Sequence, residues 1–586
     1  MNKRDASVRM GDETALEASS IWSTYHLLVI LALALTAGRI SVVTSREGDT
    51  AFLSANDRSR WATVASLVER GTFVIDEQIA IANPIYRNRK PWNSIDKVRH
   101  LGSDGQQHYY SSKPPLLATM VAGLYWIVNQ ASGITLTQHP LYMPRLILLL
   151  FNLPLLVAFF YATIATTHRL IHSSWGRTIA AASICFGTMI LPFSISLNNH
   201  LPACTATAIA MWIYFRSTKT REPSSDHQSL QLRGDSNTAD STLSPNRRIP
   251  FSWAVAGGIA ATFAAANELP ALSMTAFWAL LFFVKDRTSV LPFAVGSMVV
   301  AAAFFGTNWI AHQSLRPPYA HRGNGELIAT LQTLEDSPSP KDSTGDVSHN
   351  PLANSLGSHL KVSIEQTLSA NGDFELPGAS PDQTISIFDS DENGRWTVKN
   401  GEVQYALLLQ DQQWNLYRWD DWYEYPGTYW KDGNRQGVDR GEASKSTYLL
   451  NLTIGHHGIF SLTPIWLLIP FGWVLGIASS DKGMRRFYIA VFVASSVCFL
   501  FYLNRPLIDR NYGGVSACFR WLLWFSPLWL ASVALVLDRL GKWQVGRLAA
   551  FSLLAMSLFS VSTALQTPWQ SPWIYRFWLF LGWIEP

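Results

Sequence analysis

Apolar runs long enough to cross a bilayer recur along most of this chain, and the short loops between them carry many of its basic residues. A stretch of about 18 to 20 mostly apolar residues predicts a membrane-spanning helix. Runs near 26–43, 143–165, 178–197, 201–216, 251–267, 270–285, 289–311, 458–477, 487–503, 520–538 and 548–566 fit that pattern, predicting about eleven spans. With the N-terminus inside, the loops holding Arg169 and Arg177, Lys219 to Arg248, Lys285 and Arg287, Lys482 to Arg486, and Arg539 to Arg547 all face inward, as the positive-inside bias requires. This orientation holds only if residues 114–130, PPLLATMVAGLYWIVNQ, lie on the outer surface as an interfacial helix instead of crossing.

The expected fold class is therefore an all-α polytopic membrane protein with outer juxtamembrane helices and a second large outer loop or small α/β domain. Its predicted parts are a cytoplasmic tail (1–25), an N-terminal transmembrane module (26–311), a large outer segment (312–457) and a C-terminal transmembrane module (458–586). The N-terminal module includes the outer loop 44–142 and a polar cytoplasmic linker, 217–250, rich in Ser, Asp, Thr and Arg. The first run, longer than a secretory h-region, is expected to be an uncleaved anchor.

Composition agrees with a membrane protein: 48% of the 586 residues are hydrophobic, 15% are charged, and 24 are Trp. A net charge of +4, with no basic stripe interleaved with aromatics, argues against a nucleic-acid partner. Cys185, Cys204, Cys498 and Cys518 fall in or beside apolar runs without a Cys-x-x-Cys pair, so they are expected to be small core residues.

The stretch SANDRSRWATVASLVERGTF, residues 54–73, follows the first run closely. Trp61, Val64, Ala65 and Val68 fall at i, i+3, i+4 and i+7, predicting a surface-lying amphipathic helix over about residues 55 to 70. Ser54 and Asp57 have capping-box spacing and Gly71 is a natural stop, so Asp57 has a structural role open to it as a first-turn acid. On the same predicted side, QHYYSSKPPLL places Lys113 before Pro114 and Pro115.

The order Asp57-Arg58-Ser59-Arg60-Trp61, an amphipathic helix to Gly71 and then Lys113-Pro114-Pro115 resembles membrane glycosyltransferases of the GT-C class. It is closest to the lipid A aminoarabinose transferases and the broader protein mannosyltransferase-like families. Arg58 stands where the family has a second acid, and Ser112 where it has the acid before the lysine. The resemblance implies transfer of a sugar from a polyprenyl-phosphate donor on the non-cytoplasmic face of a membrane, a bacterial inner membrane being expected. It implies Asp57 as general base, Lys113 as a donor-phosphate contact, inversion at the anomeric carbon, and no cofactor or metal. The implied partners are membrane lipid, the lipid-linked sugar and a glycan, lipid or protein acceptor.

Other polar residues near predicted span ends extend the candidate site. Arg520, in LIDRNYGGVSACFRW, and Arg60 are candidate phosphate contacts, and the Gly-Gly pair permits close backbone approach. Glu268, in AANELPALS, is costly between apolar runs unless it faces water or a site. His200, in SLNNHLPA, is either an acceptor or sugar contact or part of a helix cap supplied by Asn198 and Asn199. His456 and His457 are adjacent, so they point to different helix faces and do not by themselves make a zinc site; an interface anchor or substrate contact is expected. The aromatic run from Trp414 to Trp430 suits either sugar stacking or interfacial anchoring. A transporter or flippase for a lipid-linked saccharide, or a non-catalytic assembly factor, would also need many spans.

Overall fold

The computed structural model describes residues 3–217, 248–331, 385–389, 395–400, 403–410, 413–431 and 433–585. Most of the expected linker, 218–247, lies outside these residues. The chain is a helical, multi-pass membrane protein. Among the described residues, seven helical segments are long and apolar enough to cross a membrane: Ser20–Val42, Tyr142–Leu170, Ser174–Phe193, Arg287–His312, Lys482–Leu503, Arg520–Leu540 and Gln544–Ala564. Four further expected spans correspond to shorter helices, His200–Arg216, Phe251–Asn267, Leu269–Lys285 and Pro464–Ile477. Glu268 explains one shortening: its extended backbone (φ −132, ψ 101) ends one helix, and Pro270 begins the next turn.

Two compact units share the chain. The first comprises residues 1–94, 114–311 and 435–586, and the second residues 95–113 and 312–434. These boundaries differ from those read in the sequence, because residues 95–113 leave the expected first outer loop and residues 435–457 leave the second.

The first unit is the helical one. Its core is a continuous apolar cluster that includes Tyr25, Phe159, Met211, Trp278, Tyr488 and Trp524, each almost wholly buried. Small residues let backbones approach closely: a Cβ on Gly258 would collide with the Phe293 carbonyl, and one on Gly296 with the Val255 carbonyl. All four cysteines are free and buried.

The second unit is built from strands. β1 (Lys97–Leu101) and β2 (Gln107–Ser111) form a hairpin closed by Gly102 to Gly105, with Gly105 at φ +76. β3 (Glu326–Leu331), β4 (Ile385–Asp389), β5 (Arg395–Asn400), β6 (Val403–Gln410) and β7 (Gln413–Arg418) form an antiparallel sheet in the order β3-β7-β6-β5-β4. Apart from His312 at the end of a helix, the described elements of this unit are strands and a 3-10 turn at Pro318–Ala320, and residues 332–384 of the expected outer segment lie outside the described residues. Val398, Tyr405, Ala406, Leu407 and Leu416 are buried on this sheet, so its apolar content supplies strand packing.

The aromatic run lies partly in β7 and partly in the core of this unit. Trp422 is sandwiched between His100 (ring centroids 4.0 Å apart) and His321 (3.5 Å, 4° between planes). Tyr423 and Tyr425 are also buried. These three rings are therefore packing residues, not an exposed platform.

Candidate functional site

The Ala55–Arg70 helix forms as its sequence dictates. Ser54 Oγ accepts the Asp57 amide at 3.1 Å, Asp57 Oδ1 accepts the Ser54 amide at 2.9 Å, and Gly71 ends the helix at φ +71. Asp57 Oδ2 accepts a further amide, from Leu53, at 3.0 Å. Its carboxyl is fully buried, and burial raises its pKa from 3.8 to about 6 despite these bonds.

The helix is not surface-lying over its first turns, which corrects that expectation. Trp61, Val64 and Ala65 are buried as the apolar stripe requires, but so are Asn56, Ser59, Arg60 and Thr63 on the polar side. The reason is a set of polar partners contributed by distant parts of the first unit.

Arg60 Nη2 donates to Asn199 Oδ1 at 3.0 Å, and its Nη1 bonds the Asn56 side-chain oxygen. Asn199 Nδ2 donates to Glu268 Oε1 at 2.6 Å and to the Asn267 carbonyl at 3.0 Å. The same Glu268 oxygen lies 2.5 Å from His200 Nδ1. On the far side of the imidazole, Arg520 Nη1 lies 2.8 Å from His200 Nε2. Four separately nominated residues, Arg60, His200, Glu268 and Arg520, are thus joined by hydrogen bonds on either side of one close ionic contact, His200 Nδ1 to Glu268, which is not aligned as a hydrogen bond.

Each link has a local cause. Asn198 Oδ1 accepts the His200 amide at 2.9 Å, which fixes where His200 and Asn199 stand, while Asn199, at the N-cap position, makes no side-chain cap bond. The helix break at Glu268 turns its carboxylate out of regular structure. Arg520 is seated by the glycine turn: Gly513 (φ +94) and Gly514 (φ +72) are both left-handed, and the Gly513 carbonyl accepts from Arg520 Nε at 2.6 Å. Trp569 lies against the guanidinium, 4.9 Å from Cζ, and donates to Ser196 Oγ at 3.1 Å.

A Cβ on Gly513 would sit 2.7 Å from Arg520 Nε and 2.8 Å from its Cγ, in a backbone region that alanine resists. Gly513→Ala is therefore expected to displace Arg520 and to lower any activity that depends on it at least tenfold, while the melting temperature falls by only a few degrees. Parallel kinetics and thermal unfolding of the purified variant check this.

Lys113 belongs to the second unit. Its Nζ pairs with Asp96 Oδ1 at 3.1 Å, and Asp96 is buried. This carboxylate was not nominated from sequence, yet it supplies an acid beside Lys113 where Ser112 occupies the preceding position. Asn56 and Trp569 were also missed, and Asn199, adjacent to His200 in SLNNHLPA, was read only as part of a helix cap.

The other charged residues of LIDRNYGGVSACFRW, Asp509 and Arg510, and the paired histidines have structural partners. Asp509 pairs with Arg505 at 2.5 Å, and Arg510 donates to the Ala443 carbonyl at 2.9 Å. His456 and His457 are both buried, and His457 stacks on Tyr512 with centroids 4.2 Å apart. They are therefore packed inside instead of anchoring an interface. Among the described residues, no group of three or more His, Cys, Asp or Glu side chains is arranged to hold a metal ion.

The sequence matches no family model and no curated protein. Solved structures similar to this chain include the Archaeoglobus fulgidus oligosaccharyltransferase in its apo form, at 10% identity and TM-score 0.40, over 95% of this chain and 57% of that one. Another is the oligosaccharyltransferase AglB from the same organism, in complex with an inhibitory peptide and a dolichol-phosphate (11%, TM-score 0.38, 96% and 58%). A third is the S. cerevisiae protein O-mannosyltransferase Pmt1-Pmt2 complex bound to the sugar donor (11%, TM-score 0.42, 96% and 92%). The chain spans a little over half the length of the archaeal structures. Likenesses this distant carry neither a fold nor an activity across.

Proposed function

We propose that this protein is a membrane glycosyltransferase that moves a sugar from a polyprenyl-phosphate-linked donor to an acceptor on the non-cytoplasmic side. The observation that carries the reading is the chain of contacts Arg60–Asn199–Glu268–His200–Arg520 within an apolar helical unit, in which Arg60, Glu268 and His200 are buried and Asn199 and Arg520 half-buried. Ionisable groups are expensive inside such a unit and are kept there chiefly for function.

The chemistry fits the residue types. Breaking the anomeric bond builds positive charge on the sugar and negative charge on the departing phosphate, so fixed cations at the phosphate lower the barrier. Arg520 and Arg60 take this role in the first unit; Lys113, paired with Asp96 within the second unit, keeps a separate candidacy as a phosphate contact. The acceptor hydroxyl must lose its proton during attack, which requires a base. Asp57 takes it: the residue is three positions before Arg60, on a neighbouring part of the helix surface, and a pKa of about 6 leaves it mostly ionised at neutral pH. To act, the carboxylate must give up part of its cap. Glu268 balances the arginines and can meet the acceptor sugar, with His200 beside it. Direct displacement inverts the anomeric centre, as the first-loop resemblance implies.

The test is sugar release by the purified protein from polyprenyl-phosphate sugars extracted from native membranes, with candidate acceptors present. Arg520→Met is expected to lower kcat/KM by about 10²–10³-fold, the usual effect of removing one preorganised donor. Donor binding by the wild type without any release would turn the assignment towards a carrier or assembly factor.

A further inference from the structure

His200 is held from both sides, and the two contacts demand the same protonation state. A guanidinium has only N–H donors, so the 2.8 Å approach of Arg520 Nη1 requires a lone pair on His200 Nε2. The neutral ring then carries its hydrogen on Nδ1, which lies 2.5 Å from the Glu268 carboxylate, a pure acceptor. Carboxylate, imidazole and guanidinium stand in sequence, the first pair in close ionic contact and the second hydrogen-bonded. A second anchor, the Gly513 carbonyl at 2.6 Å from Nε, fixes the other edge of Arg520, and Trp569 lies against it.

We propose that Glu268 and His200 are positioning residues for Arg520. Glu268 sets the imidazole tautomer, the Nε2 lone pair aims the guanidinium at the donor phosphate, and protonation of His200 releases that aim. The inference rests on the reading of Arg520 as a phosphate contact. A protonated ring turns an N–H towards Arg520 Nη1, replacing a hydrogen bond with an apposition of two donors and two positive charges.

The charged and titratable groups around the imidazole are few. Glu268 faces Nδ1, Arg520 faces Nε2, and Arg60 acts through Asn199. Cys518, beside Arg520, keeps its proton throughout the acidic range. Phe193 and Trp569, the aromatic neighbours, do not titrate. Asp57, on the helix that carries Arg60, does titrate near pH 6, so its contribution must be removed.

The experiment measures binding of a polyprenyl-phosphate sugar, without acceptor, from pH 5 to 8 in an Asp57→Asn background. The ligand is a phosphodiester and keeps one charge over this range. Affinity is expected to fall at least tenfold towards acid. His200→Leu should bind about tenfold more weakly at pH 8, with no acidic limb. His200→Gln, whose amide oxygen can accept from Arg520 at any pH, should recover part of the affinity and also lack the limb. Glu268→Gln should move the limb to lower pH or out of the measured range, because the ring loses its anionic partner; a limb left in place in this variant would mean that Glu268 does not act on the ring and would overturn the proposal.

A limb that persists in both His200 variants would equally overturn it, while Arg520→Met binding more weakly than the parent would leave the phosphate reading intact. If Arg520→Met binds as tightly as the parent, or the parent binds nothing, the phosphate reading itself fails. Should the leucine variant not fold, the glutamine variant alone decides between these outcomes.

Discussion

Glu268→Leu is expected to lower the stability of the protein by about 3–5 kcal/mol, the usual cost of leaving buried charges without their partner. One oxygen of this side chain accepts from Asn199 Nδ2 and lies 2.5 Å from His200 Nδ1, and through these neighbours it compensates Arg60 and Arg520. Leucine fills a similar volume but accepts no hydrogen bond, so two polar hydrogens and two nearby cations lose their acceptor. Glu268→Gln keeps an acceptor oxygen and should cost much less. Glu77 provides the comparison: its side chain is 80% exposed and pairs with Arg70 at 2.9 Å, so Glu77→Leu should cost less than about 1 kcal/mol. Thermal unfolding of the three variants in one detergent checks the order. Equal melting temperatures for Glu268→Leu and Glu77→Leu would mean that Glu268 does not hold the cluster together.

The same cluster shows what a linear reading can reach. The Ala55–Arg70 helix was legible down to its caps, because Ser54, Asp57 and Gly71 act on backbone groups within a few residues. Glu268, His200, Arg60 and Arg520 were each visible singly, as polar residues that their apolar surroundings do not explain. Their connection was not visible, since Arg60 and Arg520 are joined by side-chain bonds across separate helices. That Asn56 and Arg60 are buried on the helix's polar side depends on those bonds, and periodicity alone assigned that side to solvent.

Asp96 was missed for a related reason. Nothing in NSIDK marks it, and only the pairing of β1 with β2 sets Asp96 close to the end of β2 and to Lys113: Lys97 pairs with Ser111, and the Ser112 amide donates to the Asp96 carbonyl at 3.2 Å. The turn that permits this, Gly102 to Gly105, was in the sequence as GSDG. The aromatic run erred in the other direction. Trp, Tyr and Asp at high density look like a binding surface, but Trp422 needed two histidines from distant positions to become a core residue.

Asp57→Asn is expected to separate structural and chemical roles of one carboxyl through their dependence on pH. Burial raises the folded-state pKa to about 6 from an ordinary 3.8, so the folded protein holds this proton more tightly than the unfolded chain. Below pH 3.8 both states are protonated and the difference contributes nothing. Between 3.8 and 6 the unfolded chain ionises first, and stability falls as pH rises. Above pH 6 the full penalty, about 3 kcal/mol, opposes folding. Asparagine cannot ionise, so it lacks this slope, but its NH₂ faces a cap amide and costs about 1–3 kcal/mol at every pH. The stability curves of wild type and variant should therefore approach each other, and can cross, between pH 4 and 7. Catalysis should move differently. If Asp57 is the base, turnover at pH 7 falls by about 10²–10⁴-fold in the variant and the wild-type acidic limb near pH 6 disappears from the rate. A variant that loses the stability slope but keeps wild-type turnover would make Asp57 a helix cap alone, leaving Glu268 as the carboxylate of the buried cluster able to take the acceptor proton.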